Sequence, residues 1–237
     1  LDALAEDRTV FVPDLWGDRH RERREGFSPP TGIRFLGSFM DTMGIGQAHL
    51  VGSSLGGLIA GHFGLAHPSR ARSLTLVDSA GLGREIGWAQ RLLTLPGVGE
   101  FFFRPTKRRV HAMLKLLIRR GDIPEELFQS LYEDSLEPGV TKQMLTALRA
   151  GVTLRGVKPS IQFLARLREL AIPMSLFWGE KDPLFPVAHA HHAAATIPRA
   201  RLHVFAGGGH WPHFEDPAVF NQLLIAFFNS VETDTAA

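Results

Sequence analysis

The stretch from His49 to Gly64, HLVGSSLGGLIAGHFG, constrains the fold more than any other. An apolar run with strand character meets an apolar run with helix character, and between them lie two serines and three of the segment's five glycines. Glycine inside a helix or strand costs roughly 0.5 to 1 kcal/mol relative to alanine, so stability did not select this corner. Gly52-Ser53-Ser54-Leu55-Gly56 follows the pattern G-x-S-x-G between strand and helix, the context that gives the pattern its meaning. A turn this tight needs glycine two positions to either side of the central serine, and it projects Ser54 at a helix N-terminus. There the backbone N–H of Leu55 and the helix dipole both favour a developing oxyanion. Gly57 extends the run and allows close packing of helix on sheet.

The rest of the chain supplies a setting for that corner. TVFVPDL (9–15), HLVGSS (49–54) and SLTLVDSAG (73–81) are short β-rich runs, with helical periodicity over 32–43 and 55–67 between them. MSLFWGEKD (174–182) and ARLHVFAGGGH (200–210) add two later strands around the helix-like VAHAHHAAATI, and a final helix spans 218–231. This alternation predicts an α/β fold, a mostly parallel sheet with helices on both faces and right-handed crossovers. From about 83 to 170 the pattern turns helical, rich in Leu, Met, Phe and Arg, with no convincing strand. A helical block inserted between strands of a parallel sheet lies over their carboxyl ends, where such sheets bind ligands, and this predicts a lid. The expected organisation is 1–82 core sheet and elbow, 83–170 lid and 171–237 returning core, all one domain.

Composition excludes several classes of function. At 237 residues the chain suits one large α/β domain. Lys and Arg number 26 against 24 acidic residues, so the formal charge of +2 argues against a nucleic-acid partner. RHRERREG (19–26) is the one dense charge run and reads as a solvated loop. The absence of cysteine removes disulfides, thiolate metal sites and a cysteine nucleophile. With no apolar run long enough to span a bilayer and no secretion signal, the expectation is a soluble cytoplasmic protein. No cofactor and no metal are expected, and a homo-oligomer stays open. The chain opens on Leu1 and enters at once what reads as the end of a helix, LDALAEDR, which suggests that a beginning is missing.

A serine hydroxyl needs a base, and the base an orienting group, in the chain order Ser, acid, His. Asp182 ends the strand MSLFWGEKD and precedes Pro183. His210 follows RLHVF through Gly207, Gly208 and Gly209, which let the loop fold back to the sheet edge. Two rivals remain: Asp78, also at a strand end and more naturally a hydrogen-bond acceptor at its turn, and His213, which lacks the preceding glycines. His189, His191 and His192 read as a solvated helix face before a metal cluster. Ser53, Trp178, Trp211, Phe185 and Phe102 are the candidate pocket residues, and Phe214 borders the site. Aromatics mostly serve packing, so residues such as Trp178, Trp211 and Phe214 are more often core than ligand wall.

At these residues the chain resembles the α/β-hydrolase superfamily through nearly its whole length. VPDLWGD looks like the strand and turn before that family's first lid-side loop. VGSSLGG looks like its nucleophile elbow, and WGEKDPLFP and GGGHWPHFEDP look like its acid and histidine segments. ARLHVFAGGGHWPHFEDPAVFNQLLIAFF and IPEELFQSLYEDS further resemble the hydrolases that cleave carbon–carbon bonds of aromatic ring-fission products. That subfamily carries asparagine where this chain has Ser53, and a lid arginine for the substrate carboxylate where this chain has Leu131. Without that charge the pocket suits a neutral, apolar acyl group. The resemblance implies a serine esterase acting through an acyl-enzyme, with carbon–carbon cleavage of a 2-hydroxy-6-oxo-dienoate as the alternative. A non-catalytic, hydrolase-like binding protein is the reading from another class. The family's third strand and the His-Gly segment after it, source of the second oxyanion N–H, have no counterpart in residues 1–48, so the resemblance places that donor in a missing N-terminal segment.

Overall fold

The computed structural model describes residues 2–14 and 28–236. A short helix α1 (Asp2–Ala5) is followed by α2 (Pro29–Thr42), β1 (Ala48–Ser53), α3 (Leu55–Ala66) and β2 (Ala71–Val77). Helices α4 (Trp88–Leu93), α5 (Val98–Phe102), α6 (Lys107–Leu117), α7 (Glu125–Leu136) and α8 (Val140–Gly151) come next. They lead into strands β3 (Val152–Thr153) and β4 (Gly156–Val157) and helix α9 (Leu164–Leu167). The chain then returns to β5 (Met174–Gly179), α10 (Ala188–Thr196), β6 (Arg201–Phe205), α11 (Pro212–Glu215) and α12 (Pro217–Ala236).

The main sheet has the order β1-β2-β5-β6 with every pair parallel. Every residue of β5 is buried, as is every residue of β2 except Arg72, whereas β1 and β6 are partly exposed. Central strands covered on both faces read as continuous apolar runs, and LTLV and MSLFW are such runs. Successive side chains point to opposite faces, and the two core clusters divide on that parity. Leu74, Leu76, Met174, Leu176 and Trp178 pack with Leu58 and Phe63 of α3 and Ala190 and Ala193 of α10. Val77, Phe177 and Phe205 pack with Phe220, Leu224, Phe227 and Phe228 of α12. On this second face the buried hydroxyls of Thr75 and Ser175 satisfy each other at 2.9 Å.

Two expectations need correction. TVFVPDL forms no strand over its described residues 9–14. A strand is held by a ladder of hydrogen bonds to a neighbour, and no described strand pairs with it; Phe11 packs edge-on against Phe39 of α2 instead, and Val12 is 71% exposed. Leu15 and the basic run 19–26 lie outside the described residues. The second correction concerns the segment between β2 and β5, which is not wholly helical: β3 and β4 form an antiparallel ribbon. A two-residue strand pair carries too little sequence to register as periodicity. Among the described residues, no helix is long and apolar enough to cross a membrane.

The inserted segment is pinned to the core at Phe163. This ring is 1% exposed, its backbone N–H donates to Gly81 O at 3.0 Å, and it lies against Gly61 of α3. A Cβ at Gly61 would stand 2.6 Å from Phe163 Cζ. Helix propensity alone favours Gly61→Ala by about 1 kcal/mol. Overpacking against the fixed ring outweighs it, so this variant should be about 1 to 3 kcal/mol less stable in urea unfolding, and Phe163→Leu should relieve the penalty. A stabilised Gly61→Ala would contradict this packing.

At the other end, the ring of His213 lies 4.9 Å from that of Phe214 and 5.7 Å from that of Phe220. Burial, and then the neighbouring His210, lower its pKa from 6.5 to about 4. The unfolded chain therefore binds a proton below about pH 6.5 that the folded chain refuses until about pH 4. Stability should fall by at most about 3 kcal/mol as the pH drops through that window. His213→Leu should flatten this part of the curve in thermal melts at stepped pH.

Candidate active site

The corner after β1 is built by close approach. Ser54 has φ +53° and ψ −112°, a positive φ outside the left-handed well and unusual for a residue with a side chain. Three backbone hydrogen bonds hold it there: Ser54 N–H donates to Val77 O at 2.8 Å, and Ser54 O accepts from Ala80 at 3.1 Å and Leu58 at 3.2 Å. A Cβ at Gly52 would overlap the carbonyl of Gly56 and stand 2.6 Å from Gly57 N, so glycine is required at 52. A Cβ at Gly56 meets nothing within 4 Å, which corrects the symmetric expectation: residue 56 crowds the corner with its backbone, not with the space a side chain would need. Gly57 faces Ser79, where any Cβ would collide with the serine side chain. The N–H of Leu55, at the first helical position, has no intrahelical acceptor, and the Ser54 hydroxyl neither caps the helix nor makes another hydrogen bond to described residues.

Asp182 and His210 meet beyond the carboxyl ends of β5 and β6. The turn after β5 is closed by Asp182 N–H to Gly179 O at 3.2 Å. Asp182 Oδ1 accepts the Leu184 N–H at 2.7 Å, and Oδ2 lies 2.9 Å from His210 Nδ1. Both side chains are buried, 0% and 2% exposed. With a carboxylate facing Nδ1, that nitrogen carries the proton and Nε2 is left as the basic one. The glycines before His210 act as expected: Gly208 and Gly209 run so close over the end of β5 that a Cβ at Gly179 would overlap Gly209 O. Gly209 N–H is caught by Glu215 Oε1 at 2.8 Å, and His210 N–H donates to Leu117 O at 2.8 Å, tying the loop to the inserted helices.

The rivals occupy other positions. His213, three residues on, is a neutral imidazole against Phe214 and Phe220, and forms no hydrogen bond or ion pair with a carboxylate among the described residues. Asp78 Oδ1 accepts the Gly179 N–H at 2.9 Å, the acceptor role expected of it, yet a carboxylate oxygen of Asp78 also lies within 4.8 Å of Asp182 and His210. His191 and His192 are exposed, but His189 is buried and bonded through Nε2 to Glu85 Oε2 at 2.9 Å. That corrects the solvated-face reading for His189: Glu85, more than a hundred positions away in the chain, is the partner that makes its burial tolerable.

Above Ser54 lies a cavity of about 1440 Å³, larger than the usual 300 to 1,000 Å³ of ligand pockets. Ser54, Leu55 and Leu58 line its floor, and Leu93, Val98 and Met144 are among the apolar residues that the insertion contributes. Of the pocket candidates, Phe102 and Phe185 line it, and Ser53, Trp178 and Trp211 are not among its lining residues. Trp178 is wholly buried in the core, its Nε1 donating to Phe185 O at 3.0 Å; Trp211 packs with α6 and α7; Ser53 Oγ is buried without a hydrogen-bond partner among the described residues. Phe214 is exposed. His210 stands behind Phe185, ring centroids 5.8 Å apart, and does not itself line the cavity. Leu131 does, and so do Arg104, Arg108 and Arg109, which sequence reasoning missed. Their signal was the run RPTKRR directly after the Phe-rich segment, and it went unread because a charge cluster in a helical block usually faces solvent.

This architecture has counterparts among known proteins. A family model described as the alpha/beta hydrolase fold matches residues 1–217. An uncharacterised protein of Mycobacterium tuberculosis is 30% identical over 241 residues, covering 97% of this chain and 70% of that protein. A 2-hydroxy-6-oxo-6-phenylhexa-2,4-dienoate hydrolase of Comamonas testosteroni is 32% identical over 202 residues, covering 82% of this chain and 67% of the enzyme. In structure, a serine hydrolase from the polyaromatic-hydrocarbon-degrading bacterium Cycloclasticus zankles superposes with a TM-score of 0.75 at 22% identity, over 90% of this chain and 76% of its own. With a parallel sheet, a strand–serine–helix corner and a buried Asp–His pair at the same sheet edge, the chain belongs to the α/β-hydrolase fold family.

Proposed function

We propose that the protein is a serine hydrolase that cleaves a carboxylic ester of an apolar acyl group through an acyl-enzyme. The observation that carries this reading is the buried 2.9 Å contact between His210 Nδ1 and Asp182, at the same sheet edge as the strained Ser54 under an apolar cavity. In this scheme Ser54 Oγ attacks the ester carbonyl carbon while His210 Nε2 takes its proton. Asp182 holds the ring and stabilises the imidazolium. The tetrahedral oxyanion receives the Leu55 N–H, helped by the positive end of α3. As the carbon–oxygen bond breaks, His210 returns the proton to the departing alcohol. Water then enters by the same route: His210 removes its proton, the hydroxide attacks the acyl carbon, and Ser54 leaves with the proton restored. Free enzymes often hold the serine and histidine apart until substrate binds, which accommodates a Ser54 hydroxyl without a hydrogen bond. The segment 83–170 acts as the lid, its apolar lining sheltering the acyl chain and excluding bulk water.

A second reading, cleavage of a carbon–carbon bond in a dienoate, is favoured by the arginines. Arg104, Arg108 and Arg109 line the cavity, and any of them could receive the carboxylate for which Leu131 offers no charge. The Comamonas testosteroni relative, by its name, acts on such a dienoate. Ester and dienoate substrates therefore ask different things of the cavity: apolar length in one case, a fixed cation in the other.

The catalytic scheme is tested by a fluorophosphonate probe, which should label the protein and fail to label Ser54→Ala. An unlabelled, folded wild-type protein would favour a non-catalytic binding role. The substrate class is tested by p-nitrophenyl esters of rising acyl length beside one ring-fission product. Each buried methylene contributes about 0.8 kcal/mol, so kcat/KM should rise about fourfold per CH2 until the cavity is filled. If the ring-fission product is the better substrate and Arg104→Leu or Arg108→Leu abolishes only that activity, the second reading replaces the first.

A further inference from the structure

The reaction scheme leaves one buried acid unused. Asp78 is the first residue beyond β2, with no exposed surface and φ +43°, a conformation that must be held by its surroundings. Its Oδ1 accepts the Gly179 N–H at 2.9 Å, whereas Oδ2 is buried and receives no donor among the described residues. A carboxyl oxygen of Asp78, one of Asp182 and a ring nitrogen of His210 all lie within 4.8 Å of one another. Two ionised carboxylates this close and this buried repel strongly, and one shared proton relieves both the repulsion and the unpartnered oxygen.

The hydrogen bonds decide which acid keeps that proton. Asp182 receives an N–H on each oxygen, from Leu184 and from His210, and both favour its charged form. Asp78 receives an N–H on one oxygen only. Burial first, then the charge of Asp182, push the Asp78 carboxyl well above the usual carboxylate range, and Glu215 adds to the effect. Glu215, on α11, is itself held by the N–H groups of Gly209 and Arg120, and His213, the other titratable group beside His210, is neutral.

We propose that Asp78 is a positioning residue, a neutral carboxylic acid whose Oδ2–H donates to the Asp182 carboxylate and holds it against His210 Nδ1. The orienting group of the triad is then a pair of carboxyls sharing one proton, one carried on the strand end of β2 and the other on the loop after β5. Asp182 keeps its negative charge, but part of its lone-pair density is engaged by Asp78, which moderates the basicity of His210. This inference rests on the serine-hydrolase reading for its kinetic consequence, and on geometry alone for the protonation of Asp78.

Two variants and one spectroscopic measurement test it. Asp78→Ala removes the donor and should lower kcat by about tenfold or more with little change in KM, the effect of losing a hydrogen bond to a charged group. It should also move the acid limb of the kcat/KM profile to higher pH, because an unengaged Asp182 binds the imidazolium more strongly. Asp78→Asn restores a donor that cannot ionise, so it should recover most of the lost rate and return the acid limb to its wild-type position. A downward shift of that limb in Asp78→Asn would mean that an ionised Asp78 supports the imidazolium, and it would overturn the proposal. Equal rates in Asp78→Ala, Asp78→Asn and wild type would overturn it as well. Infrared difference spectra should contain the carbonyl stretch of a protonated carboxyl at neutral pH, lost in Asp78→Asn; its absence from wild type would refute the neutral form even if Asp78→Ala does not fold. That signal does not depend on turnover, so a wild-type protein that fails to react with fluorophosphonate would sink the hydrolase reading separately.

Discussion

The structure depends on the close approach of the first turn of α3 to the ends of β1 and β2. A non-glycine residue outside the usual backbone wells costs on the order of 1 to 3 kcal/mol and persists only where its neighbours over-determine it. Ser54 meets that condition: its own N–H and C=O are engaged by Val77, Ala80 and Leu58, so relaxing the corner would break hydrogen bonds on both sides. Gly52 and Gly57 remove the Cβ atoms that would hold the helix off the sheet. The result is a hydroxyl presented at a helix N-terminus, beneath a cavity, on a backbone that cannot turn it away.

The parallel ladder carries this geometry across the molecule. Ser53 pairs with Val77, Val77 with Phe177, and Gly179 with Phe205, so the residues after each strand end emerge along one edge. Asp78, Asp182 and His210 are separated by long stretches of chain, yet they come together because their strands are neighbours in register. Glycine matters here for a different reason than at the corner. At Gly179, Gly208 and Gly209 it allows two loops to pass almost in contact, which places His210 against Asp182 rather than above it. Burial of this pair then strengthens their mutual attraction and makes any third unpaired charge beside them expensive.

The inserted segment contributes the other half of the site and a contrasting chemistry. It closes an apolar cavity over Ser54 but also brings three arginines to the wall. Arg109 is partly engaged, stacking on Phe101 and donating to its carbonyl at 2.7 Å. The insertion is tied down at two points, near its end by Phe163 wedged between Gly61 and Gly81 and midway by the Leu117 carbonyl on the His210 loop. Movement of the insertion and geometry of the Asp–His pair are thus mechanically linked, through the Leu117 carbonyl, the Arg120–Glu215 hydrogen bond and the packing of Trp211 on α6 and α7.

Much of this was legible in the chain itself. The glycine-bounded serine, the parallel strand rhythm, the Asp after MSLFWGEK and the His after three glycines are local patterns, and local patterns follow from backbone sterics and the period of side chains along an element. What failed locally required a partner to be known. TVFVPDL has strand composition, but a strand exists only beside another strand. His189 looks solvated until Glu85 arrives from another part of the fold, and Trp178 looks like a pocket wall until β5 turns it into the core. The β3–β4 ribbon is too short to leave a period. The meeting of Asp78 with Asp182 could not be read at all. The sequence by itself determined which elements form and in what order the chemical groups follow the strands, because those depend on neighbours along the chain. Only the tertiary structure decided which groups touch, which are stripped of water and which side of a helix or strand faces the cavity, because distance and dielectric are set by residues far apart in sequence.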